Sequence, residues 1–490
     1  MKVFARGGAA LIAALALAAG CQIAPPNTTN TSAPGNTNAP SNTASPPATA
    51  AASPSAPADG AGATPVTLPV LDAFFAEESF GGELKDRLQL TDEQVARLRT
   101  LAREETASLH ESDDDARGGA AAAASARAAE QIKSVVGPEK AEQLFAFVRE
   151  RWAGKPGAAG DAAAALPDRP NTVPVDTRVV VNAPAYRMDV FRDGQLLKTY
   201  KIGIGYPEFP LPAGRRSARN IIFNPTWTPP DEPWVEAGKS KVKVGEKVPA
   251  GSKLNPLGPI KIPIGLPSLI HGGKAPARLG GFASHGCVGL TDAQVQDFAV
   301  VLAGLAGAQL TAEDVAGYQK QKTETKSVDL GRAVPVELRY ETIVVEDGRL
   351  HVYRDVYDRG TNTEENLRRV LEVYGVSLDN LTPQERAQVT DALDQMARDA
   401  QGQPAAGDGT TNDNAHKNEN RNGNKNGNKD GNDNKRAQQE AARVTRTIKG
   451  RKEIVIDVAA LRGKGYPAPV NFDTGGGAKQ GKKPQAAKRG

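Results

Sequence analysis

His271-Gly272-Gly273 opens a stretch that closes on Ser284-His285-Gly286-Cys287-Val288-Gly289-Leu290, and its reading decides the fold around it. Three of the five histidines lie before residue 300, and two of those fall within sixteen residues of Cys287. A cysteine attacks as its thiolate, so a free pKa of about 8.5 has to be lowered beside His⁺ or at a helix N-terminus. The stretch offers both devices, two imidazoles and a helix that starts at Thr291. Cysteine with His as base suits attack on an amide carbonyl to give a thioester. Glycines flanking the thiol leave backbone N–H groups able to face an oxyanion. Two other readings compete. A free Cys packs well in a core, but the neighbouring Gly and His residues argue against a buried structural thiol. His271, His285 and Cys287 would make a three-ligand zinc site, but no CxxC, HExxH or nearby carboxylate supports it, and His285-x-Cys287 is tight spacing for two ligands. No metal and no cofactor is expected.

Outward from this stretch the apolar period is two. Arg178-Val179-Val180-Val181 reads as a strand, Met188 and Val190 alternate with polar neighbours, and Asp193-Gly194 turns the chain back toward Ile204. Thr291 and Gln294 form a capping box for a helix whose buried face is Val295, Phe298, Val301, Leu302 and Leu305. Beyond it, residues 332–357 read as a hairpin around Asp347-Gly348. Two helices follow, at 363–374 and 382–397, the second opened by Thr382, Pro383 and Glu385. Upstream, 68–152 is helical: a Thr91/Gln94 capping box with Val95, Leu98 and Leu101, a second helix at 120–136, and a third carrying Leu144, Phe145, Val148 and Trp152. The fold class is therefore α+β, with a mostly-β catalytic domain, an N-terminal helical module and disordered linkers.

His271-Gly272 followed by Ser284-His285-Gly286-Cys287 resembles the signature of the YkuD L,D-transpeptidases. The resemblance extends over Val179-Val180-Val181-Asn182, Ile202-Gly203-Ile204-Gly205, Asn224-Pro225-Thr226-Trp227-Thr228-Pro229, Val248-Pro249-Ala250-Gly251 and Asn255-Pro256-Leu257-Gly258, the ErfK/YbiS branch, and covers about 177–312. It implies a peptidoglycan L,D-transpeptidase of the periplasm. A tetrapeptide stem is attacked at the carbonyl of its third residue, D-Ala leaves, and the acyl group passes to an amine on another stem (a 3–3 crosslink) or on an outer-membrane lipoprotein. Carried over by position, Cys287 is the nucleophile and His271 the base, with His285 the alternative base. Gly272 orients His271 through its carbonyl, and Ser284 and His285 shape the loop. The N–H groups of Gly286 and Cys287 face the oxyanion. The sequence departs from the family at Gly289, where an Arg or Asn is usual and helps to hold substrate. Arg278 or Lys274 of the same loop stands in. The resemblance also admits a hydrolase on this scaffold. A likeness of Leu367–Leu381 to a LysM helix pair admits a non-catalytic wall-binding lipoprotein, and Leu90-Thr91-Asp92-Glu93-Gln94 resembles helical periplasmic stress proteins with LTxxQ motifs, although a spacer or docking bundle is the plainer reading.

The ends complete the organisation. Residues 1–20 carry Lys2, Arg6 and the apolar run 9–19, about 17 Å long as a helix and too short for a bilayer of about 30 Å, as in a signal peptide. Leu17-Ala18-Ala19-Gly20-Cys21 resembles a lipobox, which makes Cys21 a lipidation site; an ordinary cleavage near Ala19 is the alternative. Gln22 in place of Asp favours the outer membrane by analogy with enteric lipoproteins. Residues 21–66 read as a disordered tether, 67–152 as the helical module, 153–176 as a linker, 177–312 as the catalytic domain and 313–400 as the hairpin and helix-pair extension. Residues 401–450 are an Asn/Gly/Lys low-complexity linker, and 451–490 a short strand and basic tail. These polar stretches explain why only 39% of 490 residues are hydrophobic and 5% aromatic, and two cysteines exclude a disulfide scaffold. With 61 basic and 57 acidic residues, the charge of +4 makes no case for nucleic acid. The expected partners are stem peptides, an acceptor lipoprotein and, through the lipid anchor, a membrane.

Overall fold

The computed structural model of the protein describes residues 63–109, 121–153, 169–228, 246–265, 267–398, 402 and 447–476. The signal segment 1–20, Cys21, most of the tether, most of the 401–450 linker and the last fourteen residues of the basic tail lie outside the described residues.

The helical module runs α1 (Leu68–Phe75), α2 (Glu78–Leu88), α3 (Asp92–Ser108), α4 (Ala121–Val136) and α5 (Pro138–Ala153). The sequence marks all of 68–152 as helical and delimits α3, α4 and α5, but it does not separate the first two. α1 is apolar almost all round, so it has no periodic stripe to read, and α2 carries Gly81-Gly82. Packing makes them helices. Phe80 stacks on Phe74 and Phe147 at 5.4 and 6.0 Å, and Gly81 lets α2 lie close to Val95 of α3. The capping box at Thr91 is formed, its hydroxyl accepting from Gln94 N–H. The buried Thr67 hydroxyl donates to the Glu208 carbonyl at 2.7 Å and ties the module to the β-domain.

An eight-stranded sheet forms the β-domain, in the order β3-β2-β1-β10-β5-β6-β7-β9. These are β1 (Arg178–Asn182), β2 (Arg187–Arg192), β3 (Gln195–Lys201), β5 (Gly214–Phe223), β6 (Ile260–Pro263), β7 (Leu269–His271), β9 (Val288–Gly289) and β10 (Lys326–Arg339). Just past β3, Gly203 exchanges two 2.9 Å backbone bonds with Gly289 of β9, so the first and last strands meet and the sheet curls closed. Gly203 is required there: a Cβ would stand 2.5 Å from that of Ala283. β4 (Ile204–Gly205) and β8 (Phe282–Ser284) pair separately in parallel. Helix α6 (Asp292–Ala306), capped by Thr291 and Gln294, buries Val295, Phe298, Leu302 and Leu305 under the sheet, and α7 (Ala312–Lys320) follows. Thr291 capping is worth about 1 kcal/mol.

Two segment boundaries read from sequence shift. Residues 332–339, expected to pair with the 343–357 region, belong to β10, which lies parallel to β1 and antiparallel to β5 at the centre of the sheet. The β-domain therefore draws on chain beyond 312. A bulge between Asp329 and Val334 disguises β10, because it breaks the period-two pattern. The hairpin proper is β11 (Ile343–Glu346) and β12 (Arg349–Tyr353), turning through Asp347 and Gly348 at positive φ. β12 pairs antiparallel with β13 (Glu453–Ile456), and α8 (Glu364–Val373) and α9 (Pro383–Met396) cover this small sheet over Leu350, Val352, Leu371 and Met396. The chain after β13 is not all tail. Tyr466 bridges Glu346, and Val470 and Asp473 hydrogen-bond the backbone of Thr199 and Lys201, covering the edge of β3.

Candidate active site

β7 and β9 run parallel, with Ile270 opposite Val288 and His271 opposite Gly289. Cys287 sits in the bend directly before β9, two residues from Gly289, the register partner of His271. Of the resembling segments, Val179–Asn182 is β1 in the middle of the sheet, whereas the others meet one another or the Cys loop. Gly258 and Gly273 lie so close that a Cβ on Gly258 would stand 2.3 Å from the Gly273 nitrogen, and Asn255 Nδ2 donates to the Pro225 carbonyl at 2.7 Å. Trp227 and Val248 exchange backbone bonds. A Cβ on Gly205 would stand 2.1 Å from the Phe209 carbonyl and 3.1 Å from the Gly286 nitrogen, so only glycine lets this strand meet the Cys loop.

His271 is buried, and its Nδ1 lies 2.7 Å from the Gly272 carbonyl oxygen. A carbonyl only accepts, so in the neutral ring Nδ1 carries the proton and Nε2 the lone pair. Burial, with the Lys274 ammonium, pushes His271 down to about 3 against the opposing pull of the Gly272 and Leu257 carbonyls. The ring is a neutral acceptor at physiological pH.

Cys287 is half-buried, and burial pushes its thiol up, opposed by the Leu269 N–H and by Lys274. The sequence expectation was the reverse, a thiol lowered by the α6 N-terminus and an imidazolium. The first turn of α6 is engaged elsewhere, the Asp292 carboxylate accepting from Gly273 N–H at 2.7 Å. The resting pair is thiol and imidazole, and the thiolate forms as the proton leaves.

The loop between them is tightly bonded. Ser284 Oγ donates to the Cys287 carbonyl at 2.6 Å and accepts from Cys287 N–H at 3.1 Å. This corrects one expectation: Cys287 N–H, taken as an oxyanion donor, is engaged by Ser284. Gly286 sits at φ +84°, a conformation glycine adopts without strain, and its carbonyl accepts from Ser268 Oγ at 2.9 Å. His285 points to different company from His271. Its ring meets Tyr206 and Phe209 edge-on at 5.1 and 4.6 Å. Arg278, on a 3₁₀ turn, donates to the Tyr206 hydroxyl at 3.3 Å. The space over Gly289 is taken by Lys274, whose Cγ lies 2.9 Å from where a Cβ would be. Among the described residues no group of three or more His, Cys, Asp and Glu side chains is gathered to hold a metal. Tyr206, Phe209, Ser268 and Asp292 were not foreseen; they act through contacts between distant segments that carry no local pattern.

Residues 176–321 match the family model described as the YkuD L,D-transpeptidase catalytic domain, so the chain contains a domain of that family. Similar solved structures include an Enterococcus faecium L,D-transpeptidase mutant (16% identity, TM-score 0.21, 34% of this chain and 50% of that one). The NMR structure of the E. faecium L,D-transpeptidase catalytic domain is 18% identical, with TM-score 0.22, over 34% of this chain and all of that one. An L,D-transpeptidase from Mycobacterium tuberculosis is 16% identical, with TM-score 0.19, over 33% and 57%. The chain spans about half the length of the crystallised E. faecium enzyme it matches. No curated protein matches it.

Proposed function

We propose that this domain is a cysteine-dependent L,D-transpeptidase acting on peptidoglycan. The observation that supports the reading is the parallel β7/β9 register, which sets His271, its Nδ1 on the Gly272 carbonyl, opposite Gly289, two residues from Cys287. The thiol proton passes to His271 Nε2 as sulfur attacks the carbonyl of the third stem residue. The tetrahedral intermediate collapses to a thioester, and the D-Ala amine leaves with the proton from His271. An acceptor amine then attacks the thioester, His271 takes its proton, and Cys287 is released as the thiol. Gly272 fixes the tautomer, and Gly286 N–H is the oxyanion donor of the loop. His285 packs the loop, so His271 is the base. The acceptor is another stem, giving a 3–3 crosslink, or an envelope lipoprotein. The chain works in the periplasm, held through lipidated Cys21.

Purified protein mixed with disaccharide-tetrapeptide should release D-Ala and show a mass adduct on Cys287, trapped also by a carbapenem. No release and no adduct would remove the enzyme reading; release without transfer to an added amine would make it a hydrolase. One observation favours an added wall-binding role: β12 and β13 flank the α8–α9 pair and bond antiparallel, giving that pair the strands its sequence left unassigned. Retention of a Cys287→Ala variant on isolated sacculi, lost when residues 340–476 are disrupted by Leu371→Asp, tests it.

A further inference from the structure

Gly289 leaves a gap in β9 two residues beyond Cys287, and a lysine from the neighbouring loop fills it. A Cβ built on Gly289 would lie 2.9, 3.4 and 3.2 Å from Lys274 Cγ, Cδ and Cε, so the lysine stem runs flat across the glycine. Its main chain is held in place: Lys274 N–H donates to the Leu290 carbonyl at 3.1 Å, and the preceding Gly273 is fixed by Asp292. Cys287 directly precedes β9, and His271 is in register with Gly289. A stem laid over Gly289 therefore runs beside His271 and within two residues of Cys287 along the chain. Its charge bears on both, favouring the Cys287 thiolate and disfavouring the His271 imidazolium.

We propose that Lys274 is a positioning residue that carries its ammonium across Gly289 to the Cys287–His271 pair and serves as the counter-cation of the Cys287 thiolate. The inference rests on Cys287 being the nucleophile. A neutral His271 supplies no resting positive charge, and the group that favours the thiolate beside Lys274 is the Leu269 N–H. Arg278 turns to Tyr206, and the Asp292 carboxylate to Gly273. The same ammonium makes an imidazolium on His271 short-lived, so the proton is handed on to the departing amine rather than kept. Gly289 is then the residue that makes room for a cation delivered from the loop after β7, in place of one carried at 289 itself.

The test reads the thiol and not the reaction, so it separates this inference from the enzyme reading. The full chain is alkylated with iodoacetamide across pH 6 to 10 and modification of the Cys287 peptide is followed by mass spectrometry, which keeps Cys21 out of the signal. Lys274→Met should lower the rate at neutral pH by about three- to tenfold and raise the alkylation pKa by a matching half to one unit. Lys274→Arg should restore most of the rate. Gly289→Ala, which displaces the stem without removing the charge, should give a smaller shift in the same direction, and the double variant should be no slower than Lys274→Met alone. Superimposable profiles for wild type, Lys274→Met and Gly289→Ala would overturn the assignment, and so would Lys274→Arg behaving like Lys274→Met. If Lys274→Met fails to fold, the Gly289→Ala profile decides.

Discussion

Two buried polar regions lie toward opposite ends of the strand order and handle burial in opposite ways. At β2, Arg187 is buried and fully engaged: Nε bonds Asp189 at 2.8 Å, Nη1 bonds Glu346 of the hairpin, and Nη2 donates to the Pro467 carbonyl at 3.0 Å. Asp189 also accepts from Thr199. Around β7 and β9, His271 is buried and Cys287 half-buried, and burial favours the neutral form of each, with backbone groups and one lysine as company. The first region pairs charges, which fixes how hairpin, sheet and C-terminal segment dock. The second holds a transferable proton in a site where neither group is locked into an ion pair. A fully paired buried charge is a structural fastener, whereas a buried neutral acid–base pair stays available for chemistry.

The sharpest way to break the comparison is Cys287→Ala. It should abolish thioester formation and lower turnover by more than about 10³-fold while leaving the thermal midpoint nearly unchanged, as measured with the tetrapeptide assay and calorimetry. Arg187→Met should do the opposite. It strands Asp189 and Glu346 without their cation and should cost about 3–5 kcal/mol in urea unfolding, with activity per folded molecule retained. Acid should expose the neutral site by another route. The unfolded chain binds a proton at His271 below its ordinary 6.5 and the folded chain only below about 3, so stability falls as pH drops through that window. The loss should reach about 3–5 kcal/mol at the acid end, and His271→Asn should flatten that limb of the urea-midpoint profile. The smallest effect is expected from Thr291→Ala, which removes the α6 cap and should cost about 1 kcal/mol.

Much of the site was legible because its chemistry is local in sequence. Cys287, His271 and the glycines between them lie in one stretch, and the Gly272 carbonyl follows its histidine directly. The choice between the two histidines was not legible. His285 is nearer to Cys287 in sequence, yet Gly286 at positive φ turns the chain between them, and Tyr206 and Phe209 from the distant turn after β4 receive its ring. The sense of the thiol's shift was misread for a related reason: proximity to a helix start and to histidines is visible in a sequence, and enclosure is not.

The sequence by itself determined the α+β class, the hairpin at Asp347-Gly348, the capping boxes at Thr91, Thr291 and Thr382, and the short list of candidate site residues. Each follows from periodicity or from chemistry over a few neighbouring residues. Tertiary structure decided that β10 enters the large sheet, that residues 470–473 cover β3, where α1 and α2 start and stop, and that Lys274 lies over Gly289. Those depend on which distant segments bury one another's backbone and apolar surface, a free energy shared across the fold that no single window of sequence contains.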